Sequence, residues 1–320
     1  MNIETARAKR FDGTVAVWFT GHYQVDPRDW VTIQELNGPY HPAAGYYRSD
    51  DPEILQRQLR EMRRAGIDLI VYDAFATLAL PLTDFSADRA LKMLVEALAH
   101  QEHESRKLQL AIYIEKYITA PSKEEYESAL DYIRHNLANS DCYFRYKGKP
   151  LVMPYLNGYP KCLDEIEWIN TDFTFRRIRP YSSDVWSYVH PYPQPLRRDW
   201  MVVSPGYDSF LENAYLAKKE GPADLAAIRD KASRAEREDG AFFQRQLLRA
   251  RQGDPDIIFI SGWNDWQYGN HIEPAVEYGY QYVDLAAELL GRSRETAEYR
   301  ESTKVQQPAG GDAVPRAPQQ

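Results

Sequence analysis

The sequence predicts an α/β protein: a single (β/α)8 barrel over about residues 12–292. Three observations carry this. Short, β-rich apolar runs alternate with segments of helical period. Eight such runs can be counted along the chain. None is followed by a GxGxxG or Walker-type loop, which disfavours a dinucleotide or P-loop fold.

The elements follow in order. Residues 14–20, TVAVWFT, form the first strand. Asp51 and Pro52 open a helix in which Leu55, Leu59 and Met62 share a face, and Gly66 stops it. IDLIVYDAF follows as a buried strand. A helix over 87–101 carries Leu91, Leu94, Val95 and Leu98, and LQLAIYIEKY is the next strand. Residues 123–138 place Tyr126, Leu130, Ile133 and Leu137 on one face, and KPLVMPYLNG is strand four. FTFRRIRP (173–180) and VWSYV (185–189) stand too close together for a helix between them. WMVVSPGYD (200–208) is strand seven, and one long charged helix is expected over 222–252. DIIFISGW is strand eight, and residues 274–290 are a final amphipathic helix. Residues 1–301 are expected to form the domain, and the Pro-, Gly- and Gln-rich stretch 302–320 a disordered tail.

Composition narrows the function classes. Of 320 residues, 43% are hydrophobic and 27% charged, as in ordinary globular proteins. A net charge of −8 argues against nucleic acid or an anionic membrane as partner. No run approaches the ~18 apolar residues of a membrane span. MNIETARAKRF has no apolar leader, so a cytoplasmic location is expected. The two cysteines, Cys142 and Cys162, lack metal or redox spacing and read as reduced thiols.

The segment FISGWNDWQYGNHIEP is the richest in chemistry. Trp263, Asn264, Asp265, Trp266, Tyr268, Asn270, His271 and Glu273 crowd within eleven positions at the end of strand eight. Such a set suits a pocket that stacks on a sugar ring, bonds its hydroxyls and moves protons. The lesser alternative is a tryptophan-rich turn packed over a barrel end. In a barrel, active groups stand at the C-terminal strand ends. Those ends bring His22 and Tyr23, Tyr72 and Asp73, Glu115, Tyr155 and Asn157, Trp186 and Tyr188, Tyr207, and Asp265.

Glycoside hydrolysis needs two acidic groups, so Asp265, Glu115 and Asp73 are the candidate acids, with Tyr268 assisting. The remaining polar and aromatic residues of these ends, together with Asn264, Trp266, His271 and Glu273, are candidate substrate contacts. The alternative for each acid is an ion pair, Glu115 near Lys116 or Asp184 with Arg179. His271 and Glu273 could touch a metal, but no third ligand is evident, and neither metal nor cofactor is expected. The expected partner is a carbohydrate or a glycosylated small molecule. The oligomeric state is not legible.

GYYRSDDPEILQRQLREMRRAGIDLIVYDAF, CYFRYKGKPLVMPYLNG, VVSPGYD and GAFFQRQLLRARQGDPDIIFISGWNDWQYGNHIEP occur in this order. In that order they resemble blocks of glycoside hydrolase family 99, the endo-α-mannosidases. The resemblance implies a (β/α)8 barrel and a catalytic motif Asn-Glu-Trp-His-Glu. Its first Glu is implied to take the sugar 2-hydroxyl proton on the way to a 1,2-anhydro intermediate. Its second is implied to be acid and base at the glycosidic oxygen. Here those positions read Asn264-Asp265-Trp266-Gln267-Tyr268. Asp265 is one methylene shorter, about 1.5 Å, and a ~1 Å misplacement can cost ~10²-fold in rate. Tyr268 is a phenol of reference pKa ~10, a weak proton donor at neutrality. Two expectations follow: a glycosidase-like enzyme with a rebuilt acid/base pair, or a sugar-binding or sugar-modifying barrel without hydrolysis.

Overall fold

The computed structural model describes residues 2–24, 28–36, 38–76, 88–102, 104, 106–116, 121–156, 162–182, 184–190 and 193–292. The tail and Asn157 lie outside them. The strands are β1 (Thr14–Thr20), β2 (Leu69–Ala76), β3 (Gln109–Lys116), β4 (Arg145–Tyr146), β5 (Lys149–Pro154) and β6 (Thr174–Phe175). They continue with β7 (Ile178–Arg179), β8 (Trp186–Ser187), β9 (Trp200–Val203), β10 (Tyr207–Asp208), β11 (Arg234–Ala235) and β12 (Ile257–Ile260). The helices are α1 (Ile3–Ala8), α2 (Arg28–Glu35), α3 (Pro52–Ala65), α4 (Arg89–Ala99) and α5 (Lys123–Asn136). After them come α6 (Leu163–Ile169), α7 (Phe210–Glu220), α8 (Leu225–Lys231), α9 (Ala241–Gly253) and α10 (Gln281–Leu289).

Local chemistry sets these bounds. Asp51 caps α3 by accepting the N–H groups of Glu53 and Ile54, and Gly66 at φ 81° ends the helix in the left-handed region. Ser122 and Glu125 close a capping box on α5.

A parallel sheet runs in the order β6-β5-β3-β2-β1-β12-β9, with β4 folded back antiparallel on β5. The sheet curls. Val15, Val17, Ile70, Tyr72, Ile112 and Ile114 pack outward among the helices. Ala16, Trp18, Val71, Ala111, Tyr113, Met153, Trp200 and Phe259 fill the concave side. This is the two-residue period of strands buried on both faces, with a filled interior. β7 and β8 form a separate parallel ladder, tied to the β5 end by the Tyr155–Ile178 bridge. Trp186 of β8 stacks on Trp200 of β9 with ring centroids 4.2 Å apart.

Several boundaries differ from expectation. The seventh strand stops at Val203, and Tyr207–Asp208 instead pairs antiparallel with β11. The charged helical stretch expected over 222–252 is broken: α8 ends at Lys231, β11 and a turn with Asp239 and Gly240 at positive φ intervene, and α9 starts only at Ala241. The final helix begins at Gln281, not at 274. No helix of the described residues is long and apolar enough to cross a membrane.

Candidate active site

β12 delivers the chemistry. Gly262 sits at φ 128°, and a Cβ there would meet the Cβ of Asp265 at 2.9 Å, so the chain turns sharply just before the motif. Asn264 then clamps β1. Its Oδ1 accepts the Thr20 N–H at 2.8 Å and its Nδ2 donates to the Thr20 carbonyl at 2.9 Å. The Tyr23 hydroxyl donates to the Asn264 carbonyl at 2.9 Å. Asp265 is left half-buried at the mouth, accepting from the Asn270 side chain and the Tyr268 backbone N–H.

Neighbouring strands bring two more carboxyls toward it. Thr20, Asp73 and Tyr113 lie side by side in register, and Glu115 lies two residues further along β3. Burial raises Asp73 well above the carboxylate range, reinforced by Glu115, Asp265 and Asp88. Burial lifts Glu115 to about 8, with Asp265 and Glu212 adding to it, and lifts Asp265 to about 7, with Glu212 adding to it. The Asp73 Oδ1 has no hydrogen-bond partner among the described residues, and the Tyr113 hydroxyl stands beside Glu115, where it favours the ionised carboxylate. The ion-pair alternatives resolve in different ways. Lys116 pairs with Glu125 at 2.6 Å rather than with Glu115, whereas Arg179 does hold Asp184 at 2.6 Å.

Tyrosines wall the mouth. Tyr155 packs on Tyr113 and Tyr188, with centroids 5.9 and 5.8 Å apart. Tyr207 stacks on Tyr268 at 5.7 Å. Burial drives Tyr268 well above an ordinary phenol, and the charges of Glu212, Tyr207, Asp265 and Glu115 add to this. Tyr268 therefore stays neutral and can donate only a hydrogen bond.

The structure gathers Asp73, Glu115, Asp265, Tyr268, Tyr155, Tyr188 and Tyr207 into this one electrostatic neighbourhood. It places other expected contacts elsewhere. Glu273 is buried and accepts from the Tyr47 hydroxyl at 2.7 Å, Gln58 Nε2 at 2.6 Å and Trp266 Nε1 at 2.9 Å. His271 is fully buried, stacked on Trp266 at 3.7 Å, and held neutral by burial and then by Arg237. Trp266, at 2% exposure, joins an inner cluster with Tyr23 and Trp30. Trp186 lies in the sheet interior, and Tyr72 faces the helices, donating to Asp88 at 2.7 Å. Packing thus occupies the faces that Glu273, His271, Trp186 and Tyr72 would need to touch a ligand. His22 is half-exposed beside Tyr23, with centroids 4.8 Å apart.

Near the acids, Asn270 was seen only as part of the crowded segment, and Glu212 escaped the sequence reading altogether. Asn270 bonds Asp265 and donates to Ser261 Oγ at 3.0 Å. Glu212 stands on α7, four residues past Asp208, and the only sequence signal for it is its place just after a strand end. A cavity of about 70 Å³ is lined by Tyr207 with Tyr40, Arg229, Arg234, Arg237 and Trp266, and Asp73, Glu115 and Asp265 are not among its lining residues. Among the described residues no cluster of three His, Cys, Asp or Glu is arranged for a metal ion.

A curled parallel sheet thus brings carboxyls at its strand ends together beside a wall of tyrosines. Residues 18–171 match the model of Glycosyl hydrolase family 99, and residues 226–286 match that of Glycosyltransferase WbsX. The glycoprotein endo-alpha-1,2-mannosidases of Rattus norvegicus and Mus musculus are each 22% identical over 76% of this chain. The chain spans 58% of the length of those relatives. The GH99 endo-alpha-mannosidase from Bacteroides thetaiotaomicron, in complex with bis-tris-propane, superposes with TM-score 0.66 at 16% identity, covering 90% of this chain and 99% of that one. A glycoside hydrolase-like protein superposes with TM-score 0.58 at 13% identity, covering 91% and 99%. The chain is a glycoside hydrolase family 99-like protein.

Proposed function

We propose that this protein is a glycosidase acting on a sugar or glycosylated metabolite, related to the α-mannosidases, with Asp265 and Glu115 as its working carboxyls. The convergence of Asp73, Glu115 and Asp265 carries the reading. Glu115, raised to about 8, holds a proton at neutrality and can give it to the departing glycosidic oxygen. Asp265, raised to about 7, can bond or deprotonate a sugar hydroxyl. Tyr268 donates a hydrogen bond, and Tyr155, Tyr188 and Tyr207 offer rings for stacking. The barrel is proposed to close as a (β/α)8 fold, with β6 and β7 as the fifth strand position and β8 as the sixth. Glycan-directed relatives of the same fold support a carbohydrate partner.

A second reading is sugar transfer or binding without hydrolysis. Tyr268 and the match over residues 226–286 favour it. Turnover on a panel of aryl glycosides, α-mannosides included, separates the two. Release of the aryl alcohol that Asp265→Asn abolishes supports the hydrolase. Absence of release from every member, with sugar binding retained, supports the second reading.

A further inference from the structure

Asp265 stands on a turn, residues 264–272, rather than on a strand or a long helix. The base of that turn is fastened to the end of β12. The Ile272 N–H donates to the Gly262 carbonyl at 3.0 Å, and the Glu273 N–H to the Trp263 carbonyl at 2.8 Å. The tip, around Gly269 at φ 59°, is fastened from outside the turn.

We propose that Arg237 is a positioning residue of this site: it holds the tip of the turn and, through Asn270, sets the place of the Asp265 carboxyl. Arg237 Nη2 donates to the Gly269 carbonyl at 3.0 Å and to the His271 carbonyl at 2.7 Å. These two carbonyls flank Asn270, whose side chain bonds Asp265 and donates to Ser261 Oγ at 3.0 Å. A Cβ on Gly262 would lie 2.9 Å from the Asp265 Cβ and 3.2 Å from the Asn270 Oδ1, so strand end, acid and amide meet at one point. A shift of the Gly269–His271 backbone therefore moves the partner of Asp265.

The surroundings of Arg237 serve that grip. Burying a guanidinium is costly, and the rings of Tyr40, Tyr278 and Tyr282 offset this at 4.6, 5.0 and 4.6 Å from its Cζ. Nε and Nη1 have no hydrogen-bond partner among the described residues, so the group is placed for these rings and the two carbonyls. A Cβ on Gly206 would meet the Arg237 Cγ at 2.6 Å, so a glycine there lets the stem pass. Glu238 and Asp239 follow at φ 49° and Gly240 at φ 90°. Such a left-handed run persists only where neighbours enforce it. Here Arg245 holds Glu238 at 2.7 Å and Gln281 Nε2 donates to Asp239 Oδ1 at 2.9 Å.

This rests on the glycosidase reading, in which Asp265 works as a carboxylate. The test is steady-state kinetics of wild type, Arg237→Met, Arg237→Lys, Asn270→Ala and the Arg237→Met, Asn270→Ala double variant on an aryl glycoside, with thermal melts confirming the fold. A ~1 Å displacement of a catalytic group can cost ~10²-fold. Arg237→Met should lose kcat on that order and keep KM within a few-fold. Asn270 favours the ionised form of Asp265, so loosening it should move the acidic limb of kcat/KM to higher pH, while the neighbouring acids Asp73, Glu115 and Glu212 are unchanged in sequence. Arg237→Lys keeps a donor for the carbonyls and should recover part of the rate. The double variant should be no slower than the slower single one, because the two residues act in series. If Arg237→Met does not fold, Gly206→Ala, which presses on the Arg237 stem and keeps its charge, should lower kcat and move the acidic limb in the same directions. A folded variant with wild-type kcat and an unmoved acidic limb, or single losses that simply multiply in the double variant, overturns the assignment while leaving the glycosidase reading intact. Wild-type protein silent on every glycoside overturns both.

Discussion

Glu115 lies where a carboxyl is costly to ionise, and that cost can be measured without knowing the substrate. Its side chain is raised from 4.5 to about 8, first by burial and then by the charges of Asp265 and Glu212. Between those two pH values the folded protein holds a proton that the unfolded chain has released. Folding there takes up a proton, so stability falls as pH rises through the window and levels off above it. Glu115→Gln removes this penalty. The variant should melt at the wild-type temperature near pH 4 and higher than wild type at pH 8, by roughly 2 °C or more. Equal melting at both values would show that Glu115 ionises freely. Asp265→Asn should retain the fold and sugar affinity and lose at least ~10²-fold in kcat, read by steady-state kinetics.

At the scale of the elements, the end of β12 shows how one glycine and one buried acid aim the motif. Gly262 adopts φ 128°, and an added Cβ would press on the Cβ of Asp265. Gly262→Ala should displace that carboxyl and reduce kcat more than it reduces thermal stability, a contrast that kinetics and melting together measure. Glu273 holds the far side of the turn through Tyr47, Gln58 and Trp266. Glu273→Ala leaves these donors buried and unpaired, which costs about 3 kcal/mol or more by urea unfolding.

The same turn shows where sequence reasoning stops. An acid at the end of an apolar strand is legible, because β-strand period and barrel topology send it toward the mouth. Asp73, Glu115 and Asp265 were visible in that way. Whether Glu273 and His271 meet solvent or one another depends on which side of the turn is covered by α3 and by Tyr40 and Tyr47, and no local pattern encodes that. Glu212 was hidden for the same reason. The seat of α7 against the Trp266–Tyr268 turn is set by packing, not by any motif within the helix.

For the whole molecule, the strands of the curled sheet were legible because strands buried on both faces read as apolar runs. The seam between β8 and β9 was not, since it is made by tryptophans rather than by a backbone ladder. The longest ladders join β1, β2 and β3, whereas β7 and β8 pair over two residues each. Between β8 and β9 the contact is made by side chains. The Trp186 and Trp200 rings stack at 4.2 Å, Trp186 Nε1 donates to Asp199 Oδ2 at 2.8 Å, and Trp200 Nε1 donates to the Ser187 carbonyl at 2.7 Å. Tyr188, on the wall of the mouth, follows directly on this seam. Trp186→Ala should therefore cost about 3–5 kcal/mol by denaturant unfolding, the range for a large aromatic removed from a core. Trp186→Phe, which keeps the stack but loses the bond to Asp199, should cost distinctly less. Because the seam positions Tyr188 and not the acids, sugar affinity should weaken in Trp186→Ala more than the pH dependence of turnover shifts. A Trp186→Ala protein as stable as wild type would show that the sheet closes there by some other contact.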